Sequence, residues 1–88
     1  MKANRVDHIF DKDQPVPGDF AFYSDIDGED AGVLLCCPGC HNVLSLAIRS
    51  KDRPRWSWDG NRDAPTLNPS INHVGCWHGW LKAGELTQ

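Results

Sequence analysis

The apolar residues of this chain come in short runs, most of them with a period of two, and long amphipathic stretches are few. In DFAFYSDI, Phe20 and Phe22 fall on one side of an extended segment, and DIDGED supplies a turn beyond it. AGVLLC is a short apolar strand running into a Cys-Pro-Gly-Cys turn. In the following NVLSLAIRS, Leu44, Leu46 and Ile48 alternate as in a strand, whereas Val43, Leu44, Ala47 and Ile48 would also line one face of a helix. A strand is favoured, because a short return from AGVLLC closes a hairpin around the cysteines.

Further along, RWSWDGNRDAP places Trp56 and Trp58 on one strand face, since side chains two apart point the same way. Asp59-Gly60 then reads as a tight turn. TLNPSINHV alternates through Leu67, Ile71 and His73, with Pro65 and Pro69 confining it to an edge or an irregular strand. HGWLKAGEL closes as a hairpin turning at Ala83-Gly84. The pattern predicts a mostly β, small antiparallel domain of zinc-ribbon-like type. It carries an extended N-terminal arm over residues 1–30, with a possible first strand, and a zinc-stabilised β domain over 31–88.

Length sharpens the expectation of a metal. A chain of 88 residues buries only about 60–65% of its unfolded surface, so small domains commonly add disulfides, a metal or a partner. No stretch approaches the roughly 20 apolar residues of a membrane span. MKANRVDHIFDKDQ lacks the apolar run of a secretory signal, so the expected compartment is the cytoplasm. Cysteine clusters there serve metal binding or chemistry more often than structural disulfides.

Charge is segregated. Residues 1–30 hold eight acids (Asp7, Asp11, Asp13, Asp19, Asp25, Asp27, Glu29, Asp30) against Lys2, Arg5 and Lys12. Residues 49–62 reverse the balance with Arg49, Lys51, Arg53, Arg55 and Arg62, while 31–48 and 64–81 carry no Asp, Glu, Lys or Arg. Charged loops flanking two buried segments explain this, and the arm is expected either to engage a basic protein partner or to fold onto the domain. With net charge −3, binding to nucleic acid lacks its usual electrostatic drive, although the basic stretch with Trp58 keeps it as an alternative.

Cys37 and Cys40 have C-x2-C spacing, and the Pro38-Gly39 turn between them would face both thiolates toward one point. Cys76 and His78, two apart, supply a second pair. Together Cys37, Cys40, Cys76 and His78 make a Cys3His set for one structural Zn2+, with no position left for a reactive water. His73 rivals His78 through its spacing to Cys76. Cys36 must point away from Cys37 in a strand and suits the core. A thioredoxin-like redox pair would need a helix starting at the motif and a parallel sheet, and a disulfide is disfavoured by the compartment.

APTLNPSI followed by CWHGWLKAGEL resembles a family of small phage and prophage proteins of unknown function, whose members often bear the mistaken label ammonia monooxygenase. The family pattern runs from a Cys-rich turn (here Cys37 to Cys40) to a Trp-bearing strand (Trp56 to Trp58). A Thr-Leu-x-Pro-Ser-Ile segment (Thr66 to Ile71), a Cys/His pair (Cys76 with His78) and a Gly-containing hairpin (Gly84) follow. VDHIF and PVPGDFAFYSDI also resemble it, so the likeness spans nearly the whole chain. It implies a phage or prophage origin and a metal-binding domain, with no established reaction. Distant relatives accompany bacterial ubiquitin-like transfer genes, which points to protein handling.

The closed Cys3His set leads to a non-catalytic expectation: a phage accessory protein, cytoplasmic in its bacterial host, that binds a host or phage protein and no membrane. The alternatives are a nucleic-acid-binding zinc ribbon and a metal-dependent hydrolase drawing a base from Asp59, Asp63 or Glu85.

Overall fold

A computed structural model describes residues 1–11, 13–49 and 55–88. The first of its two sheets holds β1 (Asn4–Arg5), β2 (Asp19–Ser24), β3 (Asp30–Cys36) and β4 (Val43–Ala47). The second holds β5 (Ser57–Trp58), β6 (Leu67–His73), β7 (Trp77–Lys82) and β8 (Glu85–Thr87). Strands follow chain order within each sheet, and among the described residues only β1 and β2 pair in parallel. The mostly antiparallel β class expected from the sequence is the class observed. The finer zinc-ribbon likeness has no counterpart in this pair of sheets, whose shared core is built from apolar side chains. No helix among the described residues is long and apolar enough to cross a membrane.

Alternation builds that core. Phe20, Val33, Leu35 and Leu46 point inward from the first sheet, and Leu67, Ile71, Trp77, Leu81 and Leu86 from the second. Full burial of each such side chain is worth about 1.5–3 kcal/mol. Trp56 and Trp58 are half-buried against the same core, on one side as the spacing predicts, and Trp58 lies 5.1 Å from the Phe22 ring. Within NVLSLAIRS, Val43–Ala47 form strand β4, because pairing Val33 with Leu46 and Leu35 with Leu44 buries Leu46 against the second sheet.

Residues 1–30 supply β1 and β2. Ala3 and Phe20 lie in the main core, and Ile9 joins Ala21 and Cys36 in a smaller cluster completed by Val6, Leu34 and Val43. The acidic and basic stretches meet: Arg49 pairs with Asp25 and Glu29, Arg62 with Asp30 at 3.2 Å, and Arg5 with Asp63 at 3.2 Å. Arg62 also lies over the Phe22 ring at 4.8 Å. Lys12, Lys51 and Arg53 fall outside the described residues. The sheets are joined at their edges by backbone bonds from Trp56 N to Ala47 O, Ala3 N to Gly84 O and Leu86 N to Met1 O.

β6 and β7 form the hairpin that matters for function. Gly75 sits at φ 80, a left-handed conformation costly to other residues, and Cys76 N donates to His73 O at 2.9 Å to close the turn. β6 is irregular around its one proline, Pro69: the register shifts between Leu67 and Ile71. The short β5 pairs only with Leu67 and Asn68, so Pro69, which has no N–H to give, sits where no ladder bond is needed.

Candidate active site

β7 alternates cleanly, with Trp77, Gly79 and Leu81 buried and His78, Trp80 and Lys82 exposed. On β6, Ile71 points inward, so Ser70 and Asn72 share the outer face. Asn72 lies directly across from His78, which puts Ser70 on the diagonal, within reach of a long side chain. Ser70 Oγ lies 3.3 Å from His78 Nε2. The His78 ring in turn stacks on the Trp80 indole, with centroids 6.0 Å apart and planes 26° apart.

The backbone around Ser70 is held from both sides. Trp56 donates its indole N–H to the Ser70 carbonyl at 3.4 Å. Behind His78, Gly79 makes close packing possible: a Cβ there would overlap both the Thr87 carbonyl oxygen and the Trp77 indole. A hydroxyl with an imidazole nitrogen at hydrogen-bonding distance, on an open face, is the arrangement that nucleophilic catalysis by serine requires.

Residues 6–88 match the family described as the bacterial ubiquitination-like system serine protease, BubE. The chain belongs to the BubE family. No curated protein and no solved structure matches it. The family description overturns the expectation of a non-catalytic phage module, and with it the nucleic-acid and metal-hydrolase alternatives. A closed zinc set does not exclude catalysis elsewhere on the chain, and BubE chemistry, by its description, belongs to a serine.

Of the four residues expected as zinc ligands, two meet. Cys40, Cys76 and His73 come together, with their ligand atoms all within 4.8 Å of one another. Neither Cys37 nor His78 is part of that trio. Cys76 lies in the turn before β7, so the two-apart rule that joined it to His78 does not apply, and His78 points to Ser70. Cys40 and Cys76 are joined as a disulfide, the pairing that the compartment argument disfavours. Their bond ties the β3–β4 turn to the β6–β7 turn.

His73 Nδ1 is buried and has no hydrogen-bond partner among the described residues. Cys36 and Cys37 are free and fully buried, and they point apart as adjacent strand-end residues must: Cys36 into the outer cluster, Cys37 into the main core. Burial raises the Cys37 thiol to about 11, with Cys36 adding to the effect. Burial raises Cys36 as well, with a smaller contribution from the Asp19 charge.

The carboxylates considered as bases are engaged elsewhere. Asp59 Oδ1 accepts the backbone N–H of Asn61 and Thr66, Asp63 pairs with Arg5, and Glu85 lies 3.9 Å from the Met1 amine. Sequence reasoning missed Ser70 and Trp80 as functional residues. Ser70 and His78 lie four positions on either side of Val74 in the β6–β7 turn, a hairpin that was not among those expected from the sequence.

Proposed function

We propose that this chain is a serine peptidase with Ser70 as nucleophile and His78 as general base, acting on a protein of the ubiquitination-like system in its family's description. The 3.3 Å approach of Ser70 Oγ to His78 Nε2 carries the reading. With Nδ1 protonated, Nε2 accepts the Ser70 hydroxyl proton as Oγ bonds to the scissile carbonyl carbon. The tetrahedral intermediate collapses, the C–N bond breaks, and His78 returns the proton to the leaving amine. Water then repeats the sequence, with His78 taking its proton, and releases the acyl group from Ser70 as a carboxylic acid.

A fluorophosphonate probe tests this without a known substrate, because it phosphonylates an activated serine and loses fluoride. Mass mapping should place the label on Ser70, and Ser70→Ala should abolish it. His78→Ala should slow labelling by about 10²–10⁴-fold, the usual contribution of a general base. Unlabelled wild-type protein, or labelling that survives Ser70→Ala, would overturn the assignment.

The unpartnered Nδ1 of His73 supports a second reading for the cysteine cluster. In the reduced chain, formed when a thiol reductant supplies two electrons to the Cys40–Cys76 bond, Cys40, Cys76 and His73 hold one zinc ion. Thiolates and imidazole suit zinc. His73 thus takes the place expected of His78, which the peptidase reading assigns to Ser70. Protein purified with a thiol reductant and no chelator should carry about one zinc per chain, lost in His73→Ala and Cys40→Ser. Reduced wild-type protein free of zinc would refute it.

A further inference from the structure

We infer that Trp80 is a positioning residue for the Ser70–His78 pair, holding the His78 ring in the plane from which Nε2 meets the serine; this rests on the peptidase reading above. Trp80 is a large aromatic side chain left 38% exposed on the outer face of β7. Two apart on the strand, His78 and Trp80 project side by side, and their rings stack at 26°. Stacking restricts rotation of the imidazole about χ2, the torsion that would swing Nε2 away from Ser70.

A serine–histidine pair needs such an orienting element. In the triad logic a carboxylate accepts Nδ1–H, fixing the tautomer and ring plane and favouring the imidazolium that forms in the reaction. Among the described residues no carboxylate hydrogen-bonds His78, whose recorded partner is Ser70. An indole face supplies part of the same service: it fixes the ring plane, and its π electrons attract the positive charge that arrives with the serine proton.

Trp80 is held for the task. It lies in the middle of β7 and pairs with Thr87 on β8, while its neighbours Gly79 and Leu81 pair with Ile71 and Leu67 on β6. On the inner face, the neighbouring Gly79 lets β7 lie close against the Trp77 indole.

The test is fluorophosphonate labelling of wild-type, Trp80→Phe, Trp80→Leu and Ser70→Ala proteins, with the maximal labelling rate and the half-saturating probe concentration measured separately. Trp80→Leu should lower the maximal rate by about 2- to 30-fold, the range of a cation–π contact, with half-saturation unchanged. Trp80→Phe should restore most of the loss. A raised half-saturating concentration at unchanged maximal rate would make Trp80 a platform for the probe, and unchanged values of both would leave it no part in catalysis; either overturns the proposal. Loss of labelling in Ser70→Ala shows that the pair itself stands, so failure of the Trp80 proposal is separable from failure of the peptidase reading. A measurement on wild-type protein alone guards against misfolded variants: nuclear Overhauser contacts should join the His78 ring protons to the Trp80 indole, and their absence would also overturn it.

Discussion

Replacing Cys40 with Ala should cost this domain a large part of its stability, because Cys40–Cys76 is a covalent tie between the two sheets. The bond closes a loop with a sequence separation of 36. In the chain-entropy account, cross-linking a loop of that size removes about 13 cal/mol/K from the unfolded ensemble, or about 3.8 kcal/mol at 25 °C. For a domain of this length each kcal/mol moves the midpoint by about 4–8 °C, so the expected drop is about 15–30 °C. The comparison is thermal unfolding by circular dichroism, without reductant and with a chelator present, so that no metal stands in for the bond. Cys36→Ala serves as the control: Cys36 is more deeply buried than Cys40 but lies in the outer cluster and closes no loop. A fall of under about 5 °C in Cys40→Ala, or an equal fall in both variants, would refute the reasoning.

Two further outcomes follow from the core. Trp77→Ala should destabilise by about 3–5 kcal/mol, since Trp77 is only 7% exposed within the main core, while Trp80→Ala on the outer face should cost less than about 1 kcal/mol in the same melts. Retention of wild-type stability by Trp77→Ala would show the core to be wrongly drawn. Cys37 makes stability fall in alkali: its thiol, raised from the ordinary 9.0 to about 11, stays protonated in the folded chain when the unfolded chain has lost the proton. That contribution is full below pH 9 and is lost as pH rises through about 11, so denaturant midpoints should decline across this window in wild type and decline less in Cys37→Ala.

By itself the sequence determined the β class, most of the strands and the turns between them. These are local properties. Alternation of Phe20 with Phe22, the Cys-Pro-Gly-Cys turn and the Ala83-Gly84 turn each depend on residues a few positions apart, and side-chain period and backbone sterics settle them. The opposed facing of Cys36 and Cys37 was legible for the same reason. Tertiary structure decided the site. Whether Cys76 faces His78 or Cys40 depends on where β7 begins, and the hairpin turn takes Cys76 out of the strand. Whether Ser70 reaches His78 depends on the register of β6 against β7, which shifts around Pro69. The ion pairs of Arg49 and Arg62 with Asp25, Glu29 and Asp30 likewise draw on residues 20 or more positions apart, brought together when the sheets form. A one-residue slip in a strand moves every side chain to the opposite face, so composition and spacing supply the candidate chemistry, and pairing register selects the residues that meet.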